Sequence, residues 1–142
     1  MFMRGGIEIN GVVSMPFNVI IGQAAAQELS LFLWAYNSAA PDAPERLKSL
    51  LATRNVAAGM GGSNRTQYSN IAFDALLAKA LAEFDETRHN RLFAEANRLA
   101  IRDDVGIIPL HWLKHAWGTK AGLSCETNAQ DDNAVHFVHF EK

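Results

Sequence analysis

Residues 64–77 read N-R-T-Q-Y-S-N-I-A-F-D-A-L-L, and residues 103–110 read D-D-V-G-I-I-P-L. Between them Phe73, Leu76, Leu77, Ala80, Leu81 and Phe84 recur at helical spacing, as do His89, Leu92, Phe93, Ala96, Leu99 and Ala100. This periodicity predicts two amphipathic helices separated by the break F-D-E-T-R at residues 84–88. Asn70 is placed to cap the first helix. Asp85 is placed to cap the second, where its charge also favours the positive end of the helix dipole. A join this short makes the helices antiparallel neighbours, with Phe73, Leu77, Phe84, Leu92 and Phe93 facing a common core. The β-branched residues 107–110 then read as a strand.

Outward toward the N-terminus, Ile7, Glu8 and Ile9 alternate as a half-buried strand does, with Val12 and Val13 extending it. Pro16 suits the first turn of a helix running to about residue 28, a helix kept thin by Gly22 and the alanines at 24–26. Residues 29–36 form a continuous apolar run, the mark of a strand covered on both faces. The opening is therefore expected to be a right-handed βαβ unit with parallel strands. A further helix starts near Pro44 and carries Leu47, Leu50 and Leu51. Residues 54–69, rich in Gly, Asn and Ser, read as a mobile loop, and residues 134–140 as a last strand.

The 142 residues can bury about 70 percent of the unfolded surface, enough for an ordinary domain. A net charge of −2 with scattered basic residues gives no footprint for nucleic acid. The single cysteine, Cys125, excludes an internal disulfide. No stretch is long and apolar enough to span a bilayer, and residues 1–4 lead into a strand pattern with no signal-peptide core. No membrane insertion is expected.

The strand-to-loop junction at residues 33–38 is the best candidate for a ligand site. Ligands gather at the carboxyl ends of parallel strands, and Trp34 and Tyr36 supply large amphipathic surfaces there, followed by Asn37 and Ser38. Other constellations carry less. His111 and His115, and His136 and His139, lack converging partners for a metal. The glycine-rich residues 59–64 lack the lysine of a phosphate-cradling loop, and no serine sits in a nucleophile elbow. No catalytic residue, metal or cofactor is therefore expected. An enzyme using His111 or Cys125 is the least favoured function.

In order and punctuation, the chain resembles the C-terminal part of the extracellular solute-binding proteins that feed ABC importers of the oligopeptide, dipeptide and nickel type. Their pattern Y-S-N-P-x-F-D-x-L-L, D-x-x-x-R-x-x-L-x-x-E-A-x-R-L and I-P-L is met by several groups of residues here. The first is Tyr68, Ser69, Asn70, Phe73, Asp74, Leu76 and Leu77. The second is Asp85, Arg88, Leu92, Glu95, Ala96, Arg98 and Leu99, and the third is Ile108, Pro109 and Leu110. A further family pattern, G-W-G-x-D-Y-x-D-P, is touched by Trp34 and by Pro41-Asp42.

The resemblance implies an α/β, three-layer-like lobe of the periplasmic-binding-protein type II kind, with a βαβ opening, a mixed sheet and an antiparallel helical hairpin. It implies a C-terminal-lobe domain over residues 1–117 and a tail over 118–142 that crosses toward a second lobe, the whole being a fragment of a longer periplasmic protein. The implied partners are a peptide-like or other small solute and an ABC permease. Arg65 and Tyr68 join Trp34, Tyr36, Asn37 and Ser38 as implied ligand residues, since their segment borders the cleft. Asn37 stands where many peptide binders carry an acid. It offers hydrogen bonds but no charge for an ammonium group, a pairing worth about 1.5 to 3 kcal/mol in a partly dry cleft. The alternative is a protein–protein interaction module in which the hairpin over residues 70–103 presents Arg88, Arg91, Glu95, Arg98 and Arg102.

Overall fold

A computed structural model describes residues 2–36, 43–111, 118–126 and 137–140. The chain divides into two compact units, Met1–Trp34 and Ala35–Lys142. The division expected at residue 118 borders residues 112–117, which lie outside the described set.

In the first unit a short 3-10 turn, Phe2–Gly5, is followed by irregular chain and then helix α1, Phe17–Ala25. Pro16 stands at its N-cap, where a missing N–H costs nothing. The expected βαβ opening does not form. Residues 7–9 and 29–36 lie in no strand, and Ile7, Val12, Val13, Leu31 and Leu33 are all exposed. A strand needs a hydrogen-bonded neighbour and a covering layer. Helix α1 supplies little cover: Ala24 is its only fully buried residue, and its Phe17 and Val19 are exposed.

The second unit contains helix α2, Ala43–Leu50, helix α3, Ile71–Leu81, and helix α4, Glu86–Asn97. Helix α4 continues as a π-helical turn, Arg98–Asp103, and the unit ends in strands β1, Leu123–Cys125, and β2, Val138–Phe140. Fold class is thus helix-rich with a small antiparallel sheet, which agrees with α/β only in the general sense. Among the described residues the sheet has two strands, in the register Leu123↔Phe140, Ser124↔His139 and Cys125↔Val138. The expected mixed sheet is absent there. Ile107 packs on the core, but Ile108 and Leu110 are exposed and no strand forms over 107–110.

Both caps of the hairpin are as the sequence predicts. The Asn70 side chain accepts from Ala72 N at 2.8 Å and Phe73 N at 3.2 Å. The Asp85 carboxylate accepts from Arg88 N at 2.9 Å. The core joins Leu47, Leu51 and Ala52 to Phe73, Leu77 and Ala80 of α3 and to Phe93, Ala96 and Ala100. The chain runs antiparallel through the hairpin, because Asn70 at its start bonds Asp104 just past its end. One core expectation fails. Phe84 is 101% exposed, since α3 stops at Leu81 and the residue falls in the join, off the helical stripe.

Residues 54–69 contain no helix or strand, as expected of a loop, but they are tied down by specific hydrogen bonds. Asn55 and Met60 form an antiparallel bridge. Gly61 N and Ser63 N then donate to Lys48 O and Ser49 O, at 3.0 and 2.9 Å. These bonds satisfy carbonyls that the last turn of α2 cannot satisfy itself. Gly61 alone suits this turn: its φ of +64° is left-handed, and a Cβ there would meet the Ala52 carbonyl oxygen.

Candidate functional site

The second unit carries a polar network at the mouth of the hairpin. Asn64, only 5% exposed, donates through Nδ2 to Ala52 O at 3.0 Å and to Tyr68 O at 2.7 Å. It thereby ties the end of α2 to the segment that enters α3. Tyr68 donates its hydroxyl to Asp104 Oδ2, and Asn70 Nδ2 donates to the same oxygen, both at 2.6 Å. The Tyr68 ring meets Phe73 edge-on at 5.7 Å. Thr53 Oγ1 and Ser69 Oγ share a hydrogen bond of 2.8 Å, and Thr53 N donates to Asp74 Oδ1 at 3.0 Å.

The electrostatics follow from these contacts. Burial, and then the bond to the Asp104 carboxylate, push the Tyr68 phenol well above its ordinary range. The hydrogen bonds from Tyr68 and then Asn70 hold the Asp104 carboxyl below its ordinary value. Tyr68 is therefore a neutral donor and Asp104 an ionised acceptor across the neutral range. Next to this network lies an open depression of about 540 Å³, lined by Thr53, Arg54, Asn55, Val56, Met60 and Asp74.

The candidate ligand residues fall into separate places. Trp34 belongs to the first unit, where its ring lies 6.3 Å from Phe17 and 6.0 Å from Phe32 in an aromatic cluster. Without a strand over 29–36 it does not stand at a sheet terminus. Tyr36 belongs to the second unit and donates its hydroxyl to Glu45 at 3.4 Å. Asn37, Ser38, Pro41 and Asp42 lie outside the described residues. Arg65 donates through Nη1 to Gly62 O at 2.8 Å, within its own loop. The structure brings Arg65 and Tyr68 together in one loop, with the Tyr68 hydroxyl committed to Asp104.

Sequence reasoning missed Asn64 as the buried link and Asp104 as the acceptor for Tyr68 and Asn70. Their chain spacing to their partners carries no periodic signal. His139 Nε2 lies 3.4 Å from Glu126 Oε1 across the β1–β2 pair. His111 is exposed, and His115 and His136 lie outside the described residues. Among the described residues no group of three or more His, Cys, Asp or Glu converges on a common point, and no helix is long and apolar enough to cross a membrane. No family model, no curated protein and no solved structure matches the chain.

Proposed function

We propose that this chain is part of a periplasmic solute-binding protein that captures a peptide-like or other small solute for an ABC importer. It would form much of a type II lobe. The observation that supports this reading is the use made of the motif over residues 68–110. Asn70 and Asp85 cap the helices, Phe73 and Leu77 fill the core, and Tyr68 is tied to Asp104. The motif residues from Tyr68 to Leu99 thus belong to one packed hairpin rather than to scattered positions.

The mechanism is binding without catalysis. In such proteins two lobes close on a solute by a hinge motion, the closed form being favoured by contacts made only across the cleft. The resemblance implies Trp34, Tyr36, Asn37, Ser38, Arg65 and Tyr68 as the ligand residues of this part of the protein. Half a cleft lacks the second set of contacts and excludes little water. Calorimetry of the isolated chain with short peptides should therefore give no affinity tighter than about 100 micromolar. Nanomolar binding by this chain alone would overturn the half-site idea. An immunoblot of exported protein tests the assignment itself: a band of several hundred residues agrees with it, and a free chain of this length in the cytoplasm contradicts it.

A second reading is favoured by the fully exposed Phe84 at the hairpin tip, beside exposed Arg88 and Arg91. A protein partner could dock there. Arg98 and Arg102 are less available, since both pair with Asp103, at 3.4 and 3.0 Å. A partner that co-purifies through gel filtration and is lost on Phe84→Ala with Arg91→Glu supports this reading. Retention of that partner by the double variant removes it.

A further inference from the structure

Asn10 and Gly11 adjoin in the irregular chain of the first unit, between the 3-10 turn and helix α1. Both are exposed, as are their neighbours Ile9 and Val12. Among the described residues neither the Asn10 side chain nor the Gly11 amide has a hydrogen-bond partner. A Cβ built at Gly11 would meet nothing within 4 Å. Nothing in the surroundings therefore opposes the rotations that bring the Asn10 side-chain carbon to the Gly11 nitrogen.

We infer that Asn10 is a site of spontaneous deamidation, converted with age to aspartate and isoaspartate. Hydroxide takes the proton of the Gly11 amide, and the nitrogen attacks Cγ of Asn10. The new N–Cγ bond forms, the Cγ–Nδ2 bond breaks, and Nδ2 leaves as ammonia after taking a proton from water. Water then opens the resulting succinimide. Cleavage of the new bond gives aspartate. Cleavage of the original peptide bond gives isoaspartate, whose main chain is longer by one carbon because it runs through Cβ and Cγ. Overall one water enters, one ammonia leaves and nothing is oxidised or reduced. The product carboxylate takes the formal net charge from −2 to −3.

The other described asparagines are each held by a feature that Asn10 lacks. Asn18 lies in α1, and Asn90 and Asn97 lie in α4, where the helical backbone fixes the amide that follows. Asn55 accepts from Ala58 N at 3.2 Å and precedes the β-branched Val56. Asn64 is buried and donates to two carbonyls, while Asn70 caps α3 and donates to Asp104. Only Asn10 precedes a glycine, whose nitrogen no side chain shields.

The site involves no solute and no second lobe, so it stands apart from the importer reading, and either can fail alone. The test is peptide mapping by mass spectrometry of the full chain held at mildly alkaline pH, with isoaspartate detected by a protein isoaspartyl methyltransferase. Asn10 should convert ahead of every other described asparagine, both products should appear, and isoelectric focusing should show a more acidic species. Gly11→Ala should slow the conversion about 10-fold, since a methyl group then crowds the attacking nitrogen. Asn10→Gln should remove the acidic species. Unfolding in guanidinium should change the Asn10 rate by less than about 2-fold, because the fold gives this residue no shelter. Three results would each overturn the proposal: Asn10 intact in the folded chain but converted in guanidinium, aspartate formed without isoaspartate, or a rate indifferent to Gly11→Ala.

Discussion

The Tyr68 hydroxyl donates to Asp104 Oδ2 across 2.6 Å, although the two residues lie 36 positions apart. This bond and its companion from Asn70 join the entrance of α3 to the exit of the π-helical turn. A helical hairpin is open at the end opposite its join, and here a phenol, an amide and a carboxylate close it. Next to the clamp, Val105 adopts a φ of +54°, a conformation that β-branched residues avoid, and Gly106 is wedged against Leu51 and Tyr68.

The clamp should confer stability only inside a pH window. Asp104 is depressed in the fold, so its contribution is present above its ordinary value of 3.8 and is lost as pH falls through the folded value. Tyr68 is raised, so its contribution is complete below its ordinary value of 10.0 and is lost as pH rises beyond it. Tyr68→Phe should lower the melting temperature by a few degrees from about pH 5 to about pH 9, and by less on either side. A deficit that does not vary with pH would show that the bond is not the cause.

Asn64 donates to two backbone carbonyls, those of Ala52 and Tyr68. Asn64→Ala should cost about 2 kcal/mol in urea unfolding, because buried acceptors are left unmet. Asn64→Asp should cost more, since a carboxylate in its place faces two carbonyl oxygens. A loss under about 0.5 kcal/mol for the alanine variant would mean that the loop holds without this link.

Gly61 and Gly62 should respond differently to the same change. Gly61→Ala places a methyl group against the Ala52 oxygen, 2.8 Å from Arg54 Cα and in a left-handed backbone, while a Cβ at Gly62 meets nothing within 4 Å. The first should lose about 2 kcal/mol or more, and the second should stay within about 0.5 kcal/mol of the parent. Equal effects in chemical denaturation would refute the capping role given to this loop.

Val105→Gly should stabilise the chain. The side chain is 56% exposed, so little burial is lost, and glycine removes the left-handed strain while adding some freedom to the unfolded state. The net gain should be about 1 kcal/mol, seen as a higher urea midpoint. A variant less stable than the parent would place the strain elsewhere.

The helices of the second unit were legible in the sequence to within a few residues. Asn70, Phe73, Leu77, Asp85 and Phe93 announce themselves because a cap reaches only two or three residues and a helical face repeats every three or four. Phe84 misled for the same reason. It continues the apolar period in sequence, but α3 ends at Leu81 and the residue is left in solvent. The candidate ligand residues were legible as residue types only. Tyr68 has the aromatic body and hydroxyl a ligand contact needs, and the fold spends both on Phe73 and Asp104.

By itself the sequence determined what is local: where α2, α3 and α4 run, how α3 and α4 are capped, and that α4 folds back on α3. Only the tertiary structure decided what depends on distant partners. The apolar runs at 7–9, 29–36 and 107–110 carry strand-forming residues, yet a strand exists only where another backbone lies alongside to take its hydrogen bonds. The same holds for Asn64, Asp74 and Asp104, whose roles are set by groups 12, 21 and 36 positions away. Contacts at such separations leave no periodic trace in a chain, because their geometry is made by packing rather than by the neighbouring bonds.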